Sequence, residues 1–151
     1  MSMDQPDFQP EDHLTVQSPF PPARPHRRRR RSRARHLSAS PVIARCRYIL
    51  RRRDGRDGPL DLRIRAPELI DGEFWCAIEI DWPNHPVIRW VAGADSLQAL
   101  LLALQAAGEA LYDSPWHRQG RLRCPDQDGG YGLPVDPAER HRLVGDDRDM
   151  V

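Results

Sequence analysis

Apolar and polar residues alternate along four stretches of this chain, with the period of two that is typical of a half-buried β-strand. The stretches cover residues 42–51, 60–66, 73–82 and 87–92. Turn-forming glycine, proline, aspartate and asparagine residues separate them. Because short links join successive strands, the pattern predicts an antiparallel four-stranded meander. The fourth stretch is apolar on both faces, so we expect it to be a central or covered strand.

After Gly93 the apolar residues adopt the 3.6-residue period of an α-helix, predicted over Ser96–Tyr112. Asp95 is the expected N-cap, because its carboxylate can accept hydrogen bonds from unpaired first-turn amides. Gln98 lies three residues later and is expected to reach back to the Asp95 amide. The buried face is predicted to consist of Leu97, Leu100, Leu101, Leu104, Ala107, Gly108 and Leu111.

Two positions in this helix do not fit a simple amphipathic pattern. Gly108 lowers helix stability by about 1 kcal/mol relative to alanine, so we expect another part of the chain to pack closely there. Leu102 interrupts the polar face and is expected to be partly covered or to contact a partner.

These elements predict a two-layer α+β domain over residues 41–144, with the long helix on one face of the meander. Residues 121–124 are a candidate fifth, short strand, and residues 137–143 a helical turn or two. Between them lies a glycine-rich loop in which Gly129, Gly130 and Gly132 are expected to adopt positive φ. Residues 145–151 are acidic, and we expect them to fray.

Charge divides the 151-residue chain into a basic tail and an acidic body, although its net charge is only +1. Residues 24–40 contain eight arginines and no acid, whereas the chain from Asp54 onward has a formal charge of −8. Residues 1–40 are rich in proline and arginine and lack hydrophobic periodicity, which predicts disorder. All 23 basic residues are arginine, a bias that favours a GC-rich bacterial source.

The arginine run of the tail is a candidate contact for nucleic acid, because arginines neutralise phosphates. The run consists of Arg27, Arg28, Arg29, Arg30 and Arg31. It contains no aromatic residues for base stacking. The alternative is a solvated extension with no binding role.

Three cysteines without Cys-x-x-Cys spacing favour free thiols in a reducing cytoplasm. No apolar stretch reaches the roughly 18 residues that a membrane span needs. The arginine run is not followed by the apolar region of a signal peptide. We therefore expect a cytoplasmic protein that makes no membrane contact.

The outward face of the third predicted strand is the best candidate interaction surface. It carries Glu73, Trp75, Glu79 and Asp81. Carboxylates at this spacing could perform acid–base chemistry or bind a metal ion, but alternating strand residues more often form a solvated face. An acidic face with an exposed tryptophan favours contact with another protein.

Other residues could carry chemistry only in particular arrangements. Cys76 and His85 would form a nucleophile–base pair if the fold brought them together with Asp128 at a pocket. The spacing of these residues does not require it, and a cysteine at an inward strand position is more simply a core residue. We predict no catalytic residue, no metal site and no cofactor.

One resemblance rests on two motifs. Residues 93–100 have the pattern G-x-D-S-x-Q-A-L, and Gly132-Leu133-Pro134 follows a glycine-rich stretch. The chain thereby resembles a bacterial domain-of-unknown-function family, number 6968, over roughly residues 42–135. The Ala66-Pro67-Glu68 connection and the Trp75-Cys76 strand also fit. The resemblance implies strands followed by a helix, and it supplies no activity. The residues predicted to be structural are Gly93, Asp95, Gln98, Gly108, Gly132 and Pro134.

Two hypotheses about function follow. The first is a small non-catalytic interaction module that binds a protein partner or a second copy, through the face just described or by adding a strand at a free sheet edge. Small domains of this kind often accompany toxin or effector genes as partners, which is an association and not a physical argument. The alternative is nucleic-acid association through the tail.

Overall fold

The fold was analysed in a computed structural model, which describes residues 40–127 and 129–149. Six strands form a single sheet: β1 (Val42–Arg51), β2 (Asp57–Arg65), β3 (Glu68–Ile70), β4 (Glu73–Ile80), β5 (Val87–Gly93) and β6 (Leu122–Arg123). Two α-helices, α1 (Ser96–Tyr112) and α2 (Pro115–Arg118), and two 3-10 helices, Pro137–Arg142 and Gly145–Arg148, complete the described part. The predicted α+β class is confirmed.

The sheet is an antiparallel meander, as predicted, with the short strand β6 added at one edge. β1 pairs with β2, β2 with β4, and β4 with β5, all antiparallel. The short strand β3 pairs with the first half of β4, so the expected connection at residues 67–72 contains a strand. Because β5 occupies one edge of β4, β2 and β3 share the other edge. The resulting order is β6, β1, β2, β4 and β5, with β3 continuing the line of β2.

The position of β5 contradicts the sequence-based expectation of a central or covered strand. Among the described residues β5 pairs with β4 alone and therefore forms an edge of the sheet. Ile88 is 46% exposed and Trp90 is 37% exposed. Apolar residues on both faces indicate burial, yet of the β5 side chains only Val91, on the face toward α1, packs against the core, and Arg89 on that face is exposed.

Helix α1 begins where the sequence predicts, because the cap residues make the expected kind of contacts. The carboxylate of Asp95 accepts from the amide of Gln98 at 2.8 Å. The side-chain oxygen of Gln98 reaches back 2.7 Å to the amide of Ala94, one residue earlier than expected. At Gly93 a Cβ would lie 2.3 Å from the backbone nitrogen of Ala99, so only glycine allows the helix to start this close to the sheet.

The buried face of α1 differs from the predicted leucine stripe. Leu97 is 74% exposed and Leu101 is also exposed, and the prediction that both are buried is wrong. The helix lies over β4 and β5 through a row of small residues, Ala99, Ala103 and Ala107, all fully buried. Small residues permit a close approach to the sheet, so the helix turns its alanines inward and leaves several leucines on its flanks and outer side.

The C-terminal segment covers the part of the sheet that α1 leaves open. Tyr131, Leu133 and Leu143 belong to the same buried cluster as the inward residues of β1 and β2. This segment also explains the glycine in α1. A Cβ on Gly108 would lie 2.5 Å from the carbonyl oxygen of Pro134, which confirms the expected close packing.

Asp147 holds the acidic end of the described chain, where Gly145–Arg148 forms a 3-10 helix. The expected fraying of residues 145–151 stays a prediction. The Asp147 carboxylate is 2% exposed and accepts hydrogen bonds from the Tyr112 hydroxyl at 2.6 Å, the Tyr131 amide at 2.7 Å and the Gly132 amide at 2.8 Å. A Cβ on Gly130, which has a φ of 78°, would lie 2.5 Å from the same carboxyl group. The glycines of the loop therefore do adopt positive φ, and they leave room for a buried carboxylate.

Two expectations fall on parts of the chain that are not described. The predicted disorder of the tail concerns residues that, up to residue 39, lie outside the described range, as do Met150 and Val151. Within residues 40–127 and 129–149, none of the helices has both the length and the apolar character needed to cross a membrane.

Candidate interaction surface

The candidate surface is the face of the sheet turned away from α1, here called the outer face. The register places residues with a period of two along each strand on this face. Glu79 pairs with Arg63 on β2 and with Ile88 on β5. Further along β4, Ala77 pairs with Trp90, and Trp75 pairs with Ala92. The outer face is therefore charged toward β2 and apolar toward β5.

Arginine–carboxylate ion pairs connect the strands in the charged half of the outer face. Arg63 donates to Glu79 at 3.0 Å and to Asp81 at 2.7 Å, and Arg65 donates to the other oxygen of Glu79 at 2.6 Å. A second nitrogen of Arg65 donates to the carbonyl of Ser40 at 2.5 Å, which fixes the start of the described chain to the sheet. Of the carboxylates expected to form an acidic face, Glu79 and Asp81 are thus compensated by arginines.

Glu79 is the centre of this network and is only 9% exposed. Burial alone would raise the pKa of Glu79, but the hydrogen bonds from Arg65 and Arg63 outweigh it, and the pKa lies below its usual range. The charge of Glu79 therefore stabilises the sheet between β2 and β4. A side chain with both oxygens already bound by arginines offers little to a partner.

The other predicted members of the surface lie in different surroundings. Glu73 is exposed at the start of β4, and Trp75 is half-buried. Asp81 follows the end of β4, and its side chain remains 40% exposed beside Arg63. The arginine run at residues 27–31 lies outside the described residues.

The apolar half includes two residues that the sequence analysis did not select. Ile88 and Trp90 project from the outer face of β5, next to each other at the i and i+2 positions. Ala77, which pairs with Trp90, is fully buried. Strict alternation within residues 87–92 would have placed Ile88 and Trp90 on one face, but the strand was expected to be covered.

The backbone of β5 adds a second kind of contact. Since β5 pairs only with β4 among the described residues, its far edge presents amides and carbonyls that no described strand bonds. Such an edge readily pairs with another strand unless charges, prolines or bulges protect it. β5 contains no proline and one charged residue, Arg89. We call the open edge of β5 together with Ile88, Trp90 and Ala92 the β5 surface.

The exposed apolar area continues into the helix layer. Leu100, Leu104 and Leu111 lie on the flank of α1 that packs into the core. At 100° per residue, Leu102 lies on the opposite flank, on the side of the β5 edge, and it is 37% exposed. Leu102 is thus exposed on the flank beside the β5 surface, and its contact with a partner stays a prediction.

Cys76 and His85, which were considered for catalysis, lie in different surroundings. Cys76 is fully buried, and its sulfur donates to the carbonyl of Arg65 at 3.2 Å. Burial raises the pKa of the Cys76 thiol to about 11, so it is protonated at neutral pH and a poor nucleophile. His85 is exposed in the turn after β4, and Asp128 lies outside the described residues.

His117 is the histidine with the most specific surroundings. Its Nδ1 lies 2.7 Å from the hydroxyl of Tyr131, and its ring packs edge-on against Tyr112. Burial lowers the pKa of His117, and the nearby charges of Arg142 and Arg118 lower it further. The ring is therefore neutral near pH 7 and forms part of the aromatic cluster over β1.

A cleft of about 290 Å³ lies at the C-terminal end of α1. Its walls are Glu109, Asp113, Asp136, Glu139 and Arg142. Arg142 donates to Asp113 and to Glu139, and Asp136 caps the amide of Ala138 at 2.8 Å. Across residues 40–127 and 129–149, no cluster of three or more histidine, cysteine, aspartate or glutamate side chains could hold a metal ion.

Comparison with known proteins identifies a family without an assigned activity. A family model described as Domain of unknown function (DUF6968) matches residues 46–135. No curated protein and no solved structure matches the chain. The match contains all of β5 and α1, so the surface described above lies within the family's own domain.

Proposed function

The chain belongs to the DUF6968 family, and we propose that this member is a non-catalytic protein-interaction module of the bacterial cytoplasm. Its partner adds an extended strand to β5 and covers Ile88 and Trp90. The observation that carries this proposal is the coincidence of two exposed apolar side chains with an unpaired strand edge.

Strand addition uses both parts of the β5 surface. Backbone hydrogen bonds to the open edge supply affinity, and alternate side chains supply specificity. A partner strand beside β5 would place its outward residues next to Ile88, Trp90 and Ala92. Burial of an aromatic anchor such as Trp90 is the typical source of binding energy at protein interfaces. A toxin or effector protein is one class of partner, by the association of small domains of this kind with such genes.

The remaining polar groups support a role without catalysis. Glu79 and Asp81 on the outer face are paired with arginines, and the thiol at the centre of β4 is buried and protonated. Among the described residues Asp147 is the most buried carboxylate, and it accepts from three donors that close the C-terminal segment. Structural contacts therefore occupy Glu79, Asp81, Cys76 and Asp147.

Nucleic-acid association through the tail is the alternative. Arg47, Arg51, Arg63 and Arg65 pair with carboxylates of the body and are therefore less available to phosphates. The alternative depends on the arginines of residues 24–53, eight of which lie in residues 24–40. Deletion of residues 1–40 should abolish salt-dependent binding to DNA or RNA in a filter assay. Affinity that is unchanged by the deletion or by salt would contradict it.

Site-specific photo-crosslinking in the native host tests the interaction module. A photoreactive amino acid replaces Ile88 in one variant and Ile43, an isoleucine of similar exposure on β1, in the control. We expect a discrete crosslinked adduct from position 88 and none from position 43. The mass of the adduct then shows whether the partner is another protein or a second copy.

Two results of the crosslinking experiment would contradict the interaction module. If position 88 gives no adduct under conditions in which the protein is folded and expressed, β5 does not bind a partner. If positions 88 and 43 give the same adducts, the contacts are random collisions and the proposal fails.

A further inference from the structure

We infer that a second copy of this chain is the partner of the β5 surface, paired antiparallel along β5 with Trp90 opposite Trp90 of the second copy. This inference rests on the proposed function and names its partner. It joins two six-stranded sheets into one continuous sheet whose two-fold axis passes beside Trp90.

The sequence of β5 is self-complementary in this register. Val87–Gly93 has seven residues, and Trp90 is the middle one. An antiparallel two-fold pairing centred there places Ile88 opposite Ala92 of the second copy, on the outer face. The large side chain of Ile88 thus meets a small one, and the two tryptophans meet at the centre. Aromatic cross-strand pairs of this kind stabilise antiparallel sheets.

The charges of β5 permit self-pairing. Arg89 is the only charged residue of the strand, and the register places it opposite Val91 of the second copy. No two like charges stand directly opposite each other, an arrangement that would be unfavourable. The corresponding pairing at the other edge, along the open first half of β1, would bring Arg45 and Arg47 against arginines of the second copy.

A second copy also fits the helix layer beside the strand. Leu102 lies on the flank of α1 nearest the β5 edge and is exposed. An isolated extended peptide would cover the sheet layer and leave Leu102 in water. A second copy has its own α1 over its own β5, so it can contact both the β5 edge in the sheet layer and Leu102 in the helix layer. The exposed apolar residues in two adjacent layers therefore favour a folded copy over a peptide.

Charge-swap variants of the full chain test the register directly. Sedimentation velocity between about 1 and 200 µM should show a monomer–dimer equilibrium for the unmodified chain. Trp90→Lys and Trp90→Glu should each weaken the dimer at least about tenfold, because each places like charges opposite each other at the two-fold axis. A one-to-one mixture of the two variants should recover a heterodimer. Ile43→Lys is the matched control on β1 and should leave the dimer unchanged.

A second pair of variants tests the same register without a change at position 90, in case substitution of Trp90 destabilises the fold. Ile88→Lys should weaken the dimer, and addition of Ala92→Glu in the same chain should restore it, since residue 88 faces residue 92 of the second copy. Thermal melting confirms that each variant is folded. A monomeric unmodified chain at 200 µM overturns the inference, as does failure of both mixtures and double variants to restore dimers.

These outcomes are separable from the proposed function. A crosslinked adduct of Ile88 with a different protein, combined with a monomeric purified chain, overturns self-pairing and leaves the interaction module standing. Absence of any adduct, together with a monomeric chain, removes both.

Discussion

The two edges of the sheet have the same secondary structure and opposite surface chemistry. The β1 edge is partly covered by β6, and arginines alternate along its outer face at positions 45, 47 and 51. The β5 edge is open over its whole length among the described residues and presents Ile88 and Trp90. Charged residues on an edge strand prevent pairing with other chains. The β1 edge therefore has a protection that the β5 edge lacks.

The ion pairs between these edges explain why the difference matters. Arg47 pairs with Asp61 and Arg63 with Glu79, so the charges of β1, β2 and β4 bind one another across the sheet. These ion pairs stabilise the fold, and the arginines of β1 protect the β1 edge from pairing with another chain. β5 contributes no such pair to the described network, and its exposed apolar groups remain available to a partner.

Transfer of the β1 pattern to β5 should have the largest effect. Ile88→Arg combined with Ala92→Arg gives β5 the alternating arginines of β1. We expect association to weaken by at least about 100-fold, since like charges and lost apolar contact act together at the interface. The free energy of unfolding should fall by on the order of 1 kcal/mol, because Ile88 is 46% exposed and Ala92 is only partly buried. Sedimentation velocity and urea unfolding measure the two quantities. Unchanged association would mean that β5 is not the contact.

Removal of the Glu79 carboxylate should lower the stability of the fold and leave association unchanged. Glu79→Ala leaves Arg63 and Arg65 without their shared partner, and we expect a loss of about 2 kcal/mol in the free energy of unfolding. Glu73→Ala, on the same strand and face but exposed, is the control and should change it by less than about 0.5 kcal/mol. Association should be unaffected below the melting temperature. Equal losses for both variants would show that the network does not stabilise the sheet.

Removal of the protection from β1 should create a new contact of moderate strength. Arg45→Ile combined with Arg47→Ile gives the first half of β1 an apolar outer face. We expect this variant to associate on the order of tenfold more strongly than the unmodified chain. The new contact should appear as species larger than a dimer in sedimentation velocity. If no new species forms, the arginines are not what protects this edge.

Acid should produce the smallest effect. The pKa of Glu79 lies below its ordinary value of 4.5, so its ionised form contributes stability above that pH. This contribution is lost as the pH falls through the lowered pKa of the folded protein. Urea unfolding between pH 7 and pH 3 should therefore show a decline for the unmodified chain. Glu79→Gln should decline less over the same range, and an identical decline would assign the acid sensitivity to other groups.

The sequence predicts the local features of this fold well. Asp95, Gln98 and Gly93 are close in the chain, and their contacts at the start of α1 depend on backbone geometry over a few residues. Gly108 was expected to allow close packing, and it does so against Pro134. The strand alternation likewise fixed which side chains of β2 and β4 face the core.

The features that the sequence did not predict depend on contacts between distant segments. Glu79 meets Arg63 and Arg65 because β2 lies beside β4, and alternation alone does not give that register. The alanine face of α1 follows from how near the helix lies to β4 and β5. Asp147 belongs to an irregular segment without periodicity, so only the folded chain shows that it is buried.

The exposure of the candidate surface also depends on contacts between distant segments. Ile88 and Trp90 share a face by simple alternation, which is visible in the sequence. Their exposure depends on β5 being at the edge, and strand order is a property of the whole sheet. Leu102 interrupts the polar face of α1 in the sequence, and it is exposed in the structure.

Hydrogen exchange of the two edges tests the central claim most directly. Mass spectrometry of peptides covering β5 and the first half of β1 would be performed on the full chain at about 1 µM and about 200 µM. We predict that amides of β5 exchange more slowly at the higher concentration and that those of residues 42–47 do not change. Exchange in β5 that is independent of concentration, or slowing confined to β1, would contradict self-association through the β5 edge.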